Sequence, residues 1–309
     1  GVRIEATLCG VSTGTEMAIY RGTLPNLSNG RWGYWNEYPI APGYEMVGTV
    51  AEVDDAVTDV VVGDRVVALA AHGSGAVVTP DQYVPIPDAV SDEAATLAIL
   101  GATTLHGMHR ADVGQGESVL VLGLGIVGIL SAAHARHVGV APLIVADPLP
   151  WRRSTAVRLG FEHVLDPSAD GFAEQVLALT DGRGVDVVSE AAGVESAFQL
   201  GISCLAEFGR LLVQGTHGAP VTLDLGDYTM HKQTAIISTW NIGSPDRRCD
   251  DGSPVESRVN LETAMDLVSR DVLPSAELIT HRFRLDDIAQ IYHDLDSGSL
   301  KSMQVVMEV

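Results

Sequence analysis

Apolar and polar positions follow two different rhythms along this chain. Up to about residue 90 they come in short, β-branched runs cut by turn residues. Val47-Gly-Thr-Val-Ala-Glu-Val53 and Asp64-Arg-Val-Val-Ala-Leu69 are examples, with Gly63-Asp64 as a turn between them, and such runs predict strands. Ser91-Asp92-Glu93 is a capping signal, followed by a helical stretch from Glu93 to His109. From residue 111 to about 245 the rhythm changes to unbroken apolar runs separated by helical stretches. The runs are Val119–Leu122, Leu143–Ala146, Val185–Ser189, Arg210–Gln214 and Ala235–Thr239, and the intervening helices include Arg152–Gly160 and Phe172–Thr180. That alternation predicts an α/β unit with a parallel, doubly wound sheet. Beyond it lie amphipathic helices at Asn260–Arg270 and Asp286–Asp296 and a closing strand at Gln304–Glu308. The reading is therefore a domain over 109–245 inserted in a β-rich domain made of 1–108 and 246–309, with the active cleft expected between them.

The inserted segment opens on a strand, Ser118 to Leu122, that runs into Gly123-x-Gly125-x-x-Gly128. A helix-competent stretch and a second apolar strand ending on Asp147 come next. This order fits a dinucleotide site. Gly123 permits the tight turn, Gly125 lets backbone approach a pyrophosphate, and Gly128 lets helix and strand pack closely; the free N–H groups at the helix start, around Ile126 and Val127, face the phosphates. Asp147 lies 22 residues after Gly125, close to the spacing of about 20 for an acid that binds ribose hydroxyls. Its charge repels a 2′-phosphate, so NAD is expected rather than NADP. Arg152 and Arg153 are the contrary signal, read as solvent-exposed residues at a helix start.

Composition narrows the function classes. The 309 residues are 46% hydrophobic, ample for two packed domains, and no apolar run approaches the length of a membrane span. No signal peptide is visible, and the chain opens in mid-strand without a methionine, so it reads as trimmed. Cys9, Cys204 and Cys249 are too scattered for a disulfide framework, which fits a reducing cytoplasm. A net charge of −21 disfavours nucleic acid and anionic membranes. The acidity is read either as a solubilising surface or as steering of a cationic small-molecule substrate.

Four segments together resemble the medium-chain dehydrogenase/reductase family of alcohol-dehydrogenase-like proteins. They are Gly43-Tyr-Glu-Met-Val-Gly48, Gly63-Asp-Arg-Val66, the glycine-turn strand Val119–Gly128, and Leu278-Ile-Thr-His-Arg-Phe283. The resemblance spans nearly the whole chain. It implies a Rossmann domain inserted in a GroES-like β-rich catalytic domain. Zinc-dependent members carry a Cys-Gly-Thr-Asp motif where this chain has Thr13-Gly14-Thr15-Glu16, and Gly-His-Glu where it has Gly43-Tyr44-Glu45. The third ligand position falls on Ile99 and the family's relay histidine on Ala18. Threonine, tyrosine and isoleucine do not make a zinc site, and the chain lacks the four clustered cysteines of the structural zinc lobe. It therefore reads as zinc-free, its Ser-Thr-Gly-Thr-Glu segment similar to a zinc-lacking branch that includes bacteriochlorophyllide dehydrogenases.

Without a metal, another group must handle the substrate oxygen. Tyr44 is one candidate and otherwise fills the vacated metal cavity. Thr15, at the proton-relay position, contacts substrate or ribose, or else is a locally satisfied hydroxyl. Glu45 acts as base or pairs structurally with a basic residue. His72, in Ala71-His-Gly-Ser-Gly75, is a candidate substrate contact. His217, after a Rossmann strand, is a candidate beside the nicotinamide, and Trp240, at the end of the last one, lies beside the nicotinamide or at a dimer edge. His106 and His109 read as buried or capped on the bridging helix, and the other histidines, His134 among them, as surface or helix-end residues. The aromatic segment Arg31–Tyr38, with Trp32, Tyr34, Trp35 and Tyr38, sits in the loop between Thr15-Glu16 and Gly43-Tyr44. It lines a pocket or packs on another subunit. The expected activity is metal-free, NAD-dependent interconversion of a secondary alcohol and a ketone on a sugar, polyol or aminocyclitol-like metabolite. A quinone or enone reductase and a non-catalytic nucleotide sensor are the alternatives. An apolar edge strand at Ala235–Thr239 points to a homodimer.

Overall fold

A computed structural model describes residues 1–30, 35–248, 254–255 and 257–309. The chain falls into two compact units, Gly1–Ala102 with Ile242–Val309, and Thr103–Asn241. The changeover lies inside one long helix, Asp92–Arg110, against the 108/109 and 245/246 read from the sequence.

The first unit is GroES-like and built on a seven-stranded sheet. Its centre is the ten-residue strand Val2–Val11, which pairs with Glu45–Val53 on one side and Gln304–Glu308 on the other. Alternation along this strand sends Val2 and Ile4 into a core with Met46, Val50, Val66 and Tyr83. Farther along, Cys9 and Val11 enter a second cluster with Met17, Ile291, Tyr292 and Met307. The second cluster packs the helices Thr13–Tyr20 and Ile288–Asp296 against the same end of the sheet. The segment from Thr13 is thus helical, not the loop expected after Thr15-Glu16. It buries Glu16, Met17 and Ile19, a helical repeat too short to show in the sequence.

The second unit is a six-stranded parallel sheet. Its order is Ala235–Ser238, Leu205–Val213, Val185–Glu190, Val119–Leu122, Leu143–Ala146, His163–Leu165. The order reverses between Val119–Leu122 and Val185–Glu190, where a doubly wound sheet binds dinucleotides. The five expected strands are present and a sixth was missed: His163–Leu165 has three half-buried residues, too few for an apolar run to register. Among the described residues no helix is long and apolar enough to cross a membrane.

Candidate active site

In the Rossmann unit the glycine turn follows directly from steric need. Gly123 has φ +92°, and a Cβ there would press on the backbone of Ala192 at 2.9–3.0 Å. A Cβ on Gly128 would run into the carbonyl oxygen of Gly123. Gly125 is the N-cap of the helix Ile126–Val138 and brings no side-chain cap, so the first N–H groups of Ile126, Val127 and Gly128 are left for a ligand. A Cβ on Gly125 would meet nothing nearer than the Arg152 guanidinium at 3.9 Å. The residues therefore fit a dinucleotide phosphate.

Asp147 is buried at 1% exposure and its carboxylate already has work. Oδ2 accepts from the Leu124 N–H at 2.8 Å and Oδ1 from the Leu149 N–H at 2.8 Å. The Arg152 guanidinium lies 3.3 Å from Oδ2. The two arginines are not the solvated pair expected. Arg152 is 30% exposed, stacks on Trp151 and keeps a buried, unpartnered Nε. Arg153 bonds the Asp147 carbonyl at 2.7 Å and pairs with Asp166 at 3.0 Å. Asp147 draws both guanidiniums inward, so the acid that repels a 2′-phosphate is itself partly neutralised.

His217 sits after the Leu205–Val213 strand, its Nε2 2.8 Å from Oε2 of Glu190, a fully buried acid that sequence reading passed over. Trp240 lies just beyond the Ala235–Ser238 edge strand, half exposed. His134 is a correction: it is 2% exposed in the middle of the Ile126–Val138 helix, not at a surface.

In the GroES-like unit a polar cluster assembles around Glu16. Its Oε1 accepts the Ser12 N–H at 2.7 Å. Its Oε2 takes both the Tyr292 hydroxyl and His72 Nε2, the latter at 2.9 Å. His72 in turn packs its ring where a Cβ of Gly43 would stand, and Gly43 holds φ +84°, so only glycine fits there. Next along, the half-buried Tyr44 hydroxyl bonds the Ser12 hydroxyl and is reached by Thr15. Glu45 is fully buried and opposite Gly10, which leaves room for it; Gln304 Nε2 donates to its Oε2 at 2.8 Å. Glu45 Oε1, Gln304 Oε1 and His72 Nδ1 are buried and carry no hydrogen bond. Trp35 lies with its ring 6.0 Å from that of Tyr44, and the Tyr38 hydroxyl donates to the Ile19 carbonyl. Trp32 and Tyr34 lie outside the described residues.

The electrostatics divide these groups by role. Burial, then the charge of Glu16, pushes the Glu45 carboxyl up to about 8. Burial and the neighbouring Glu45 raise the Tyr44 phenol well above its ordinary range, so it remains a hydroxyl. Burial draws His72 down, but the neighbouring Cys9 and Glu16 outweigh it and lift the imidazole to about 10. His72 and Glu16 thus form an ion pair that fixes the turn before Tyr44. Glu16, which the sequence did not single out, takes up the Nε2 of His72.

Two family models match this chain: alcohol dehydrogenase GroES-like domain over residues 1–88, and zinc-binding dehydrogenase over 127–249. The chain belongs to the medium-chain dehydrogenase/reductase family. It is an alcohol-dehydrogenase-type oxidoreductase of a family that binds nicotinamide dinucleotides. Among curated relatives it is 28% identical to an L-threonine 3-dehydrogenase of Mesorhizobium japonicum, over 96% of this chain and 88% of that one. Its fold matches galactitol-1-phosphate dehydrogenase from Escherichia coli with TM-score 0.83 at 20% identity, over 100% and 92% of the two chains. It also matches a dehydrogenase of Sinorhizobium meliloti 1021 bound to NADP, with TM-score 0.81 at 21% identity and the same coverage.

A medium-chain dehydrogenase of the zinc-binding type needs three protein donors at one point. Here the three positions carry Thr13, half-buried, Tyr44, and Ile99, fully buried in the core. Among the described residues no three side chains of His, Cys, Asp or Glu converge to hold a metal. The donor set present does not fit zinc. Of the residues missed, Glu16 had a signal: it is the one acid on an apolar face of Thr13–Tyr20. Tyr292 and Gln304 had none, being brought in from hundreds of residues away.

Proposed function

We propose that this chain is a metal-independent, NAD-dependent oxidoreductase that interconverts a secondary alcohol and a ketone on a polar, hydroxyl-rich metabolite. One observation carries the reading. A tyrosine hydroxyl, kept protonated, bonded to the Ser12 hydroxyl and near Thr15, stands at the position that the family resemblance gives to an imidazole ligand. A bound nicotinamide supplies the hydride donor or acceptor for the carbinol carbon. The Ile126–Gly128 amides would hold the pyrophosphate, Asp147 a ribose and His217 the nicotinamide end, with Trp240 near it. In the reducing direction Tyr44 gives its proton to the oxygen as carbonyl becomes alcohol, and the phenolate recovers a proton from solvent, relayed through the hydroxyl of Ser12 or Thr15, which takes one up as it gives one. Oxidation runs the same chain backwards. Glu45, one residue on, bonds Gln304, and among the described residues its carboxyl makes no ion pair.

The names of relatives, for threonine and a sugar-alcohol phosphate, support an alcohol substrate, and the acidity of the chain favours a neutral or cationic one. Among the described residues the edge strand Ala235–Ser238 is paired on one side only, with Ile236 41% exposed, and this supports a homodimer. Location in the cytoplasm accords with the free, buried Cys9 and Cys204. Arg152 beside Asp147 gives NADP its case.

The experiment is a titration of the purified protein with NADH and NADPH, metal analysis of the same sample, and an alcohol and ketone panel with and without chelator. Activity on alcohols that survives chelation, with less than one metal per ten chains, is the expected result. Stoichiometric zinc whose removal abolishes turnover sinks the proposal. Activity confined to NADPH and quinones would move the chain to the reductase class.

A further inference from the structure

Glu190 is a fully buried carboxylate at the carboxyl end of the Val185–Glu190 strand, and no proton-transfer step above uses it. A buried acid is costly unless every lone pair is occupied. Here the partners are all at one end of the Rossmann sheet. Oε1 accepts the N–H groups of Ala192 at 2.9 Å and Gly193 at 2.8 Å. Oε2 faces Nε2 of His217 at 2.8 Å. The Glu190 carbonyl accepts from Gln214 at 2.8 Å and Gly215 at 2.9 Å. One residue therefore ties down both the loop that presses on Gly123 of the phosphate turn and the segment that leads to His217. Phe198 sets its ring edge-on to the imidazole, 6.1 Å away at 89°, and fixes the plane of His217.

The carboxylate also decides which nitrogen carries the proton. An acceptor at Nε2 requires Nε2–H, so a neutral ring has its lone pair at Nδ1. The imidazole is 16% exposed, and Nδ1 carries no hydrogen bond among the described residues. These strands belong to the half of the sheet beyond the reversal point, where the second mononucleotide of a dinucleotide lies.

We propose that Glu190 is a positioning residue for the nicotinamide end. It locks His217 in the Nε2–H tautomer and thereby offers Nδ1 as an acceptor for the carboxamide N–H. The proposal rests on the nucleotide reading above and adds to it the group that is recognised and the residue that prepares the recognition. An enzyme reading its cofactor here distinguishes nicotinamide from any dinucleotide fragment that lacks the carboxamide.

The test titrates wild type, Glu190→Gln and His217→Asn with NADH and with ADP-ribose by calorimetry, and follows the ¹⁵N signals of the His217 ring. Free wild type should show Nε2 protonated and Nδ1 bare, and the Nδ1 signal should move with NADH and not with ADP-ribose. Each substitution should weaken NADH about tenfold, as loss of one hydrogen bond does, and leave ADP-ribose within about twofold. Glutamine at 190 cannot serve three N–H groups, because one of its two ends is itself a donor. Equal weakening of both ligands in Glu190→Gln would mean that the carboxylate merely builds the loop, and would overturn the proposal. So would unchanged NADH affinity in His217→Asn, which stands as the test if Glu190→Gln does not fold. A wild type that binds neither ligand overturns the nucleotide reading and this proposal together. A wild type that binds both, with variants that do not separate them, overturns only the role of Glu190.

Discussion

The two units solve the problem of placing polar groups in opposite ways. In the Rossmann unit the phosphate turn and its acid come from one continuous stretch, Gly123 to Asp147, and most of the binding groups are backbone N–H. In the GroES-like unit Glu16 gathers the side chains of His72 and Tyr292 and the Ser12 N–H, the Ser12 hydroxyl bonds Tyr44, and Glu45 and Gln304 lie beside them. A backbone site survives most side-chain changes and fails on a misplaced Cβ. A side-chain site depends on each member, because a buried partner left behind is expensive. The comparison predicts where each unit is vulnerable.

The largest effect is expected at Glu16. Replacing it with alanine strands the Ser12 N–H, His72 and the Tyr292 hydroxyl in the interior and leaves the His72 charge uncompensated. A loss of about 3–5 kcal/mol is expected, read as a lower urea midpoint. NADH affinity of whatever remains folded should be little changed. A variant as stable as wild type would show that the cluster is not the keystone of its unit.

Tyr44→Phe comes next and separates chemistry from scaffold. Its hydroxyl is half-buried and bonded only to other hydroxyls, so stability should fall by no more than about 1 kcal/mol. Turnover should fall by about 10²–10³ with KM nearly constant, as for removal of an oxyanion donor. A KM effect without a kcat effect would make Tyr44 a filler of its cavity, the other half of the reading made from sequence.

That division also explains what was legible beforehand. The glycine turn, the acid at its proper distance and the strand–helix rhythm are local, so the α/β fold and the dinucleotide motif could be read directly. His163–Leu165 could not, since three half-buried residues make no pattern. Of the motif residues, Tyr44 was visible as a departure from a ligand set, and Thr15 and Glu45 as polar residues that the family motifs retain. The long-range partners were not, because Gln304 reaches Glu45, and Tyr292 reaches Glu16, through the pairing of Val2–Val11 with Gln304–Glu308 and the packing of the last helix. Arg152 was misjudged because exposure at a helix start is the ordinary outcome, and only the fold shows Asp147 pulling it in.

A third and smaller effect concerns pH. Glu45 has a folded value of about 8 against an ordinary 4.5. A raised carboxyl binds its proton more tightly when folded, so its contribution is full below about pH 4.5 and is lost as pH rises through 8. His72, raised from 6.5 to about 10, adds a loss of the same sign at higher pH. Stability should therefore decline from pH 5 to pH 9. Above pH 8 the Glu45 carboxylate also leaves Oε1 as an unpartnered buried acceptor, whereas its neutral form carries an O–H to give. Glu45→Gln keeps a donor and never ionises, so its urea midpoint should fall less over that interval. Parallel curves for the two proteins would place the decline elsewhere.

The smallest effect tests whether the Rossmann unit really depends on backbone more than on side chains. Asp147 has two tasks that the sequence reading ran together. It accepts the N–H groups of Leu124 and Leu149, which shapes the turn, and in the proposed function it also binds a ribose and selects the cofactor. Asparagine at 147 retains one acceptor oxygen and removes the charge, while Arg152 stays in place with its spare Nε–H. If selection is the dominant task, Asp147→Asn should shift the ratio of NADH to NADPH dissociation constants about tenfold toward NADPH, worth about 1.4 kcal/mol. The shift should shrink at high salt, since it arises from charge near a partly exposed guanidinium. The double variant Asp147→Asn with Arg152→Ala should lose it altogether, because nothing then remains to hold a 2′-phosphate. If instead both cofactors weaken equally in the single variant, Asp147 serves the turn, and the preference between NAD and NADP rests on Arg152 alone.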